Sequence, residues 1–166
     1  TFFDGTPVLV PEKFNTIPEP NGDILMYPEG DRSATPSGRM PHGGFYFDGI
    51  VRQPPIDEDS LDPRDNLEEF TLFGQEDLDH FGREAARLYE ETEYAILGNF
   101  GGTAFGDIAL VPAPWLKNPR GIRDIAEWYM SSVSRPDYVY KVFEGQCEIA
   151  LQNLEKAHAA VGERIA

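Results

Sequence analysis

The hydrophobic pattern of this 166-residue sequence changes its period near residue 76, and this change limits the folds open to the chain. Before it, short apolar runs alternate with prolines and glycines, which predicts short strands and turns. After it, apolar residues step by three and four positions, as on one face of a helix over about 76–91: Leu78, Phe81, Ala85 and Leu88. The consecutive apolar residues 94–100 then predict a strand buried on both faces, with its core at 94–99. A helix followed by a buried strand is typical of the parallel sheets of α/β proteins.

Two more helices are predicted downstream. The first covers about 121–133. The second covers about 136–161 and is roughly 39 Å long at 1.5 Å per residue. Its apolar residues form a single stripe: Val139, Phe143, Cys147, Ala150, Leu154, Ala157 and Val161. A helix this long with one apolar stripe is expected to lie against a sheet.

The sequence divides into three stretches. Residues 1–56 predict an irregular β-meander with long loops, in which Asn21-Gly22 favours a turn and 43–52 a strand. Residues 57–75 are interpreted as an acidic connector exposed to solvent. Residues 76–166 hold the helices and the buried strand. Because the chain starts without methionine and stops just after a long helical pattern, we interpret all three stretches as one incomplete domain of a longer protein.

Charge and cysteine content exclude several classes of partner. The 29 acidic residues outnumber the 14 basic ones, which gives a formal net charge of −15. Because such a surface repels polyphosphates and anionic lipids, neither nucleic acid nor a membrane is an expected partner. No apolar run approaches the roughly 20 residues that span a bilayer. The single cysteine, Cys147, excludes an internal disulfide framework, and with no signal peptide the expected location is the cytoplasm.

The richest candidate site is the glycine-rich stretch 98–107, just after the predicted buried strand. Ligands of α/β proteins bind at the carboxyl ends of strands, and glycines let them approach the backbone closely. The candidate substrate-binding residues here are Asn99, Phe100, Gly101, Thr103, Phe105 and Asp107. The stretch has neither a G-x-G-x-x-G pattern nor the lysine of a P-loop, so nucleotide phosphate binding is not predicted. The alternative interpretation is a tight strand-to-helix turn that needs small residues.

A second candidate pair, Asp48 and Arg52, lies in the predicted strand 43–52. Residues four apart on a strand share a face, and an arginine there can hold a substrate carboxylate by a bidentate contact. The alternative is an ordinary ion pair on a solvated strand edge. The three histidines are far apart in sequence and none shows a His-Cys spacing, so no metal site is predicted within this segment.

Four segments resemble the uroporphyrinogen decarboxylase superfamily, and more narrowly its divergent branch grouped with corrinoid-dependent methyltransferases. They are residues 5–11, 44–48, 61–70 and above all Ala95-Ile-Leu-Gly-Asn-Phe-Gly-Gly-Thr-Ala-Phe-Gly-Asp107. The resemblance implies a (β/α)₈ TIM barrel whose active site lies at the carboxyl ends of its strands. This α/β chain would be part of that barrel, with the β-meander as an excursion in its N-terminal third. Because such a barrel needs about 250 residues, the isolated segment is expected to be inactive.

The resemblance also implies a function. The expected enzyme transfers a methyl group from a small methylated substrate to a corrinoid (cobalamin). A corrinoid protein and the remainder of its own chain are the expected partners, and any zinc would be held by residues outside this segment. One alternative is decarboxylation of a uroporphyrinogen-type tetrapyrrole without a cofactor, and another is a non-catalytic relative that binds a tetrapyrrole or a partner. The turn at 101–105 differs from the Gly-Ala-Pro-Trp/Phe-Thr turn of the decarboxylases, and Ala109 replaces their substrate-contacting tyrosine, which disfavours uroporphyrinogen.

Overall fold

The computed structural model describes residues 1–106 and 111–165. Over these residues the chain is a mixed α/β structure with three α-helices and one three-stranded sheet. It divides into two compact units, Thr1–Glu69 with Ile108–Arg135, and Phe70–Asp107 with Pro136–Ala166. None of the described helices combines the length and the apolar character that crossing a membrane requires.

The first unit contains an antiparallel β-meander. Its strands are β1 (Ile24–Met26), β2 (Gly38–Met40) and β3 (Asp48–Gly49), in that order across the sheet. Ile24 lies opposite Met40, and Arg39 lies opposite Asp48. The predicted meander is therefore confirmed. The prediction omits β2, because the sequence Gly-Arg-Met lacks the β-branched and aromatic residues that indicate strands.

The side chain of Asp23 joins the turn before β1 to the end of β2. Gly22 occupies the left-handed region at φ +88°, as the Asn21-Gly22 turn predicts. The buried Asp23 carboxylate accepts hydrogen bonds from Arg39 Nε and from the His42 backbone N–H. The hydrogen bond from Arg39, followed by that from His42, lowers the pKa of Asp23. This carboxylate thus closes the meander with charge-assisted contacts.

Helix α2 (Ile125–Ser134) completes the first unit and begins four residues later than predicted. The Asp124 carboxylate caps it by accepting the Glu127 N–H at 3.0 Å. The residues just before the cap belong to a buried polar contact. The Asn66 side chain donates to the Ile122 carbonyl at 2.7 Å and accepts the Ile122 N–H at 2.8 Å. Because the Ile122 carbonyl bonds to Asn66, it is engaged outside the i to i+4 hydrogen bond that a helix starting there would need.

Part of the predicted acidic connector is folded. Residues Pro63–Leu67 form a 3₁₀ turn that begins with Pro63. Arg120 forms ion pairs with Asp65 at 3.1 Å and Glu68 at 2.7 Å, and Arg135 pairs with Glu58. Several connector carboxylates therefore contact arginines of the first unit, where the sequence predicts only a solvated run.

The second unit is built on helices α1 (Gln75–Glu91) and α3 (Pro136–Val161), which pack against each other. Both helices are confirmed close to their predicted bounds. A Cβ atom added at Gly82 of α1 would lie 3.1 Å from the Ala160 carbonyl oxygen. The absence of a side chain at Gly82 therefore permits the close approach of the two helices.

The buried face of α3 differs from the predicted stripe. Val139, Ala150, Ala157 and Val161 are buried as predicted, but Leu154 is 52% exposed. Two amide residues are buried in its place, Gln146 at 2% and Asn153 at 0% exposure. The buried residues of α3 are Tyr138, Val139, Val142, Gln146, Ala150, Asn153, Ala157 and Val161.

The predicted buried strand at 94–99 is not formed. These residues have no β pairing, and every described strand pair is antiparallel. Tyr94 and Leu97 are 84% and 85% exposed. Phe100 packs instead on Phe81 of α1, with ring centroids 4.8 Å apart. A consecutive apolar run becomes a strand only where a neighbouring strand supplies its hydrogen bonds, and none of the described strands pairs with this run.

Candidate functional site

Asn153 of α3 holds the glycine-rich loop 98–106 from its buried side. Its side-chain nitrogen donates to the Gly102 and Thr71 carbonyl oxygens, both at 2.9 Å. Its side-chain oxygen accepts the Phe73 backbone N–H at 2.8 Å. One buried amide therefore joins the loop to residues 71–73, and all its contacts lie within the second unit.

Gln146, two turns earlier on α3, holds the far end of the loop. Its side-chain oxygen accepts the Gly106 backbone N–H at 2.8 Å. The glycines suit this attachment, since Gly101, Gly102 and Gly106 have φ values of +62°, +50° and +79°. A Cβ atom at Gly102 would lie 3.1 Å from the Asn153 side-chain nitrogen. The glycines therefore fit a left-handed backbone beside an amide, which agrees with the tight-turn interpretation.

The other side of the loop faces solvent. Asn99, Gly101 and Phe105 are exposed, with Phe105 57% exposed, whereas Phe100 and Thr103 are half-buried. Asp107, the remaining predicted residue of this site, lies outside the described residues. The structure thus places five of the predicted residues on one short loop, three of them open to a ligand.

The chemistry available to the described part of this loop is limited to binding. Residues 98–106 contain amide, hydroxyl, aromatic and backbone groups but no titratable side chain. Such a surface can position a ligand, whereas general acid or base catalysis requires a titratable group from elsewhere. Asp107 is the first carboxylate that the sequence offers next to it.

Asp48 and Arg52 do not form the predicted strand-face pair. Asp48 lies in β3 and is exposed, whereas β3 ends at Gly49 and Arg52 lies beyond it. Both terminal nitrogens of Arg52 donate to backbone carbonyls, one to Ala113 and one to Leu116. Because these nitrogens are engaged, they are not available in this structure for a bidentate contact with a substrate carboxylate. The part of either residue in substrate binding remains a prediction.

The first unit also contains a buried charge cluster that sequence reasoning missed. It consists of Arg52, Glu69 and Arg123. The Arg123 side chain is only 1% exposed and lies 3.7 Å from the Glu69 carboxylate, which is 11% exposed. Arg123 also donates to the Asp65 carbonyl at 2.6 Å. Glu69 belongs to the acidic connector, and no feature of that run distinguishes it from its solvated neighbours.

Burial perturbs the titration of this cluster. Desolvation raises the pKa of Glu69, although the positive charges of Arg123 and Arg52 act in the opposite direction. Desolvation likewise lowers the pKa of Arg52. The Glu69 Oε2 and Arg52 Nε atoms are buried without a hydrogen-bond partner among the described residues. The cluster therefore holds a carboxyl group that is easier to protonate than an ordinary glutamate.

Within the described residues, neither the potential metal ligands nor the cysteine forms a further candidate site. No group of three or more His, Cys, Asp or Glu side chains there could hold a metal ion. His80 lies on α1 and His158 on α3, as the helical patterns predict. Cys147 is a free, half-buried cysteine on α3.

The two buried amides of α3 had a sequence signal. Gln146 and Asn153 are seven residues apart, which places them on one helix face with Ala150 and Ala157. Polar residues in phase with small apolar ones indicate a face that contacts backbone groups.

Comparisons with protein-family models, with curated proteins and with solved structures found no match.

Proposed function

We propose that this chain is part of a uroporphyrinogen decarboxylase-like (β/α)₈ barrel that transfers a methyl group from a small methylated substrate to a corrinoid. The single observation that supports it best is the loop 98–106, which is held by hydrogen bonds on one side and faces solvent on the other. Its backbone is held by Asn153 and Gln146, while Asn99 and Phe105 face solvent. A rigidly held backbone that presents polar and aromatic groups is suited to positioning a ligand. This loop lies in the segment of the chain that most resembles the family.

In this proposal the loop residues position the substrate, and the chemical step needs groups beyond them. The Asn99 amide donates and accepts hydrogen bonds, and Phe100 and Phe105 offer apolar surface to the substrate. Thr103 adds a hydroxyl group. Asp107 supplies the only carboxylate of the stretch 98–107. Orienting the methyl-bearing atom is the contribution that such a surface makes to the rate.

The loop also fits a corrinoid, which supplies, when bound, the cobalt that accepts the methyl group. The amide of Asn99 matches the amide side chains at the rim of a corrinoid, and the exposed ring of Phe105 matches its apolar surface. Zinc, if the reaction uses it, comes from residues outside this segment in the proposal. A corrinoid protein is the proposed partner, and a reducing cytoplasm, which suits the single Cys147, is the proposed location.

The apolar residues 94–97 support the proposal that the remainder of the chain completes the barrel. Tyr94 and Leu97 are both more than four-fifths exposed. Exposed apolar side chains of this size favour burial against another surface. In the proposal a neighbouring barrel strand covers them.

Decarboxylation of a tetrapyrrole carboxylate is the second candidate, and the cluster of Arg52, Glu69 and Arg123 favours it. A carboxyl group of raised pKa can donate a proton to the carbon that loses carbon dioxide. A non-catalytic barrel relative remains the third proposal.

The test uses the full-length protein in two separate assays. One measures transfer of the methyl group from methylcobalamin to a small thiol, which is the proposed reaction run in reverse for a substrate methylated on sulfur, and the other measures carbon dioxide released from uroporphyrinogen. We expect methyl loss that depends on the protein, and a roughly tenfold or larger decrease in its kcat/KM for Asn99→Ala. The matched control is Asn118→Ala, an exposed asparagine of the first unit.

The outcomes separate the three proposals. Methyl loss that Asn99→Ala leaves unchanged refutes the role of the loop. Carbon dioxide release without methyl loss replaces the first proposal by the second. Binding of methylcobalamin without either reaction supports the non-catalytic relative.

A further inference from the structure

The β-meander of the first unit holds a cavity of about 190 Å³ with aromatic walls. Its four rings are those of Phe2, Phe14, Phe45 and Phe47. Phe14 and Phe47 meet edge to face, with centroids 5.5 Å apart and an interplanar angle of 89°. Phe2 and Phe45 do the same at 5.4 Å and 69°. The rings therefore stabilise each other's orientation around one space.

The sheet forms another wall of this cavity. Ile24 of β1 and Met40 of β2, which are paired across the two strands, both line it. Met40 is 7% exposed, so this wall is part of the packed core of the unit. Because this wall belongs to a hydrogen-bonded sheet, it is already in place before a ligand binds, which lowers the cost of binding.

The volume sets the size of the ligand. An apolar cavity of about 150 Å³ accommodates one benzene molecule, so 190 Å³ accommodates one substituted ring. A second depression of about 480 Å³ shares Phe2, Thr16, Ile24 and Met40 with the first. It extends towards residues 41–44, where His42 and Gly43 are exposed. It provides a route of entry and room for a polar substituent.

The lining also sets the charge of the ligand. The side chains around the cavity are phenylalanine, valine, isoleucine, methionine and threonine, and none of them is charged. An ionised group would lose its hydration there without gaining a partner. The Thr1 and Thr16 hydroxyls are the polar side-chain groups that both depressions share.

We infer that this cavity binds a small neutral ligand built on one aromatic ring. An added ring continues the edge-to-face arrangement that the four phenylalanines already form, whereas an aliphatic ring of the same size gains only apolar contact. The site belongs to the first unit and uses no residue of the loop 98–106, so it is independent of the proposed methyl transfer.

Binding is measured by ligand-observed NMR titration of the whole chain with toluene, methylcyclohexane and benzoate. Toluene and methylcyclohexane have the same carbon skeleton and differ in aromaticity. We expect saturable binding of toluene with a Kd below about 1 mM, roughly tenfold weaker binding of methylcyclohexane and no binding of benzoate.

Two filling substitutions and one matched control locate the site. Val10 and Val8 line the cavity from its rim, where they are 40% and 37% exposed, so Val10→Phe and Val8→Phe place a ring in the space without removing core atoms. Leu9→Phe adds the same ring at a fully exposed neighbour. We expect either filling variant to weaken toluene binding about tenfold or more, and Leu9→Phe to leave it unchanged.

Each contrary result overturns a stated part of the inference. Wild-type affinity for toluene in both filling variants, with folding confirmed by circular dichroism, rules out this cavity as the site. Methylcyclohexane that binds as tightly as toluene overturns the aromatic class. Binding of benzoate overturns the neutral charge, and failure of toluene to bind the wild-type chain overturns the site altogether.

Discussion

Replacing Asn153 by leucine removes the amide group that joins helix α3 to two loops while keeping the branched shape of the side chain. Asn153 is fully buried and forms three hydrogen bonds, to Thr71, Phe73 and Gly102. All three partners are backbone groups, so a change of side-chain rotamer at Thr71, Phe73 or Gly102 cannot replace the lost hydrogen bonds. The variant therefore tests whether this amide determines the position of the candidate site.

The expected cost follows from the geometry. Each hydrogen bond contributes about 1 kcal/mol net, and a buried partner left without a bond adds about 1–3 kcal/mol. Because the three partners are only partly buried and can bond to water, we expect a loss of about 2–4 kcal/mol for Asn153→Leu. Against a total stability of about 5–15 kcal/mol for a domain, such a loss is large but leaves the chain folded.

Urea unfolding measures the global effect, and hydrogen exchange at the Phe73 amide measures the local one. The control is Gln152→Leu, which changes the exposed neighbour and is expected to alter stability by no more than about 0.5 kcal/mol. A loss below about 1 kcal/mol in Asn153→Leu, with unchanged exchange at Phe73, would refute the reasoning, since it would show that water replaces the amide without cost.

The substitution Asn153→Asp tests the direction in which stability changes with pH. The new carboxylate still accepts the Phe73 N–H, but its other oxygen faces the carbonyls of Gly102 and Thr71. Burial and these carbonyls raise the pKa of the new carboxyl group above its unfolded value. The variant is therefore most stable at low pH and loses stability as the pH rises through that pKa. Stability that increases over the same range would contradict the assigned orientation of the amide.

Three further predictions concern the first unit. Because the pKa of Asp23 is lowered from its usual 3.8, its stabilising effect is present above that value and lost as the pH falls, so urea unfolding curves of Asp23→Asn and wild type should converge in acid. A Cβ atom at Gly121 would clash with Asn66 Oδ1, so Gly121→Ala should lower the thermal midpoint more than Gly5→Ala, where only the positive φ is strained. Because the pKa of Glu69 is raised from 4.5, wild-type stability should fall as the pH rises above that value, and Glu69→Gln should remove this fall in a pH series of unfolding measurements.

Local patterns predict the helices of this chain well. Helices α1 and α3 lie within one residue of their predicted bounds, because each carries a helical repeat over several turns and a residue that marks its start or end. Helix α2 is shorter, because Ile122 forms hydrogen bonds with Asn66. That contact joins residues 56 positions apart, and no local window contains it.

The candidate site was predictable only in part. The loop after residue 97 presents Asn99 and Phe105 to solvent, as the combination of glycine, amide and aromatic residues indicates. The prediction of a strand before this loop is wrong. Its apolar run favours burial but does not specify which element covers it. Asp48 and Arg52 were placed on one strand, whereas β3 is two residues long and ends before Arg52. The length of a strand depends on its pairing partners, and the spacing between Asp48 and Arg52 contains no information about them.

The amides of α3 separate what holds the loop from what the loop can bind. Gln146 and Asn153 act on backbone groups from the buried side, and Asn99 and Phe105 face solvent on the other. A substitution of Asn153 should therefore change stability and ligand binding together, because it releases the backbone on which the exposed groups stand. A substitution of Asn99 should change binding while leaving the free energy of unfolding almost unaltered, since an exposed side chain contributes little to it. Loss of stability in both variants would mean that the exposed side of the loop is also structural, and that the tight-turn interpretation accounts for all of its glycines.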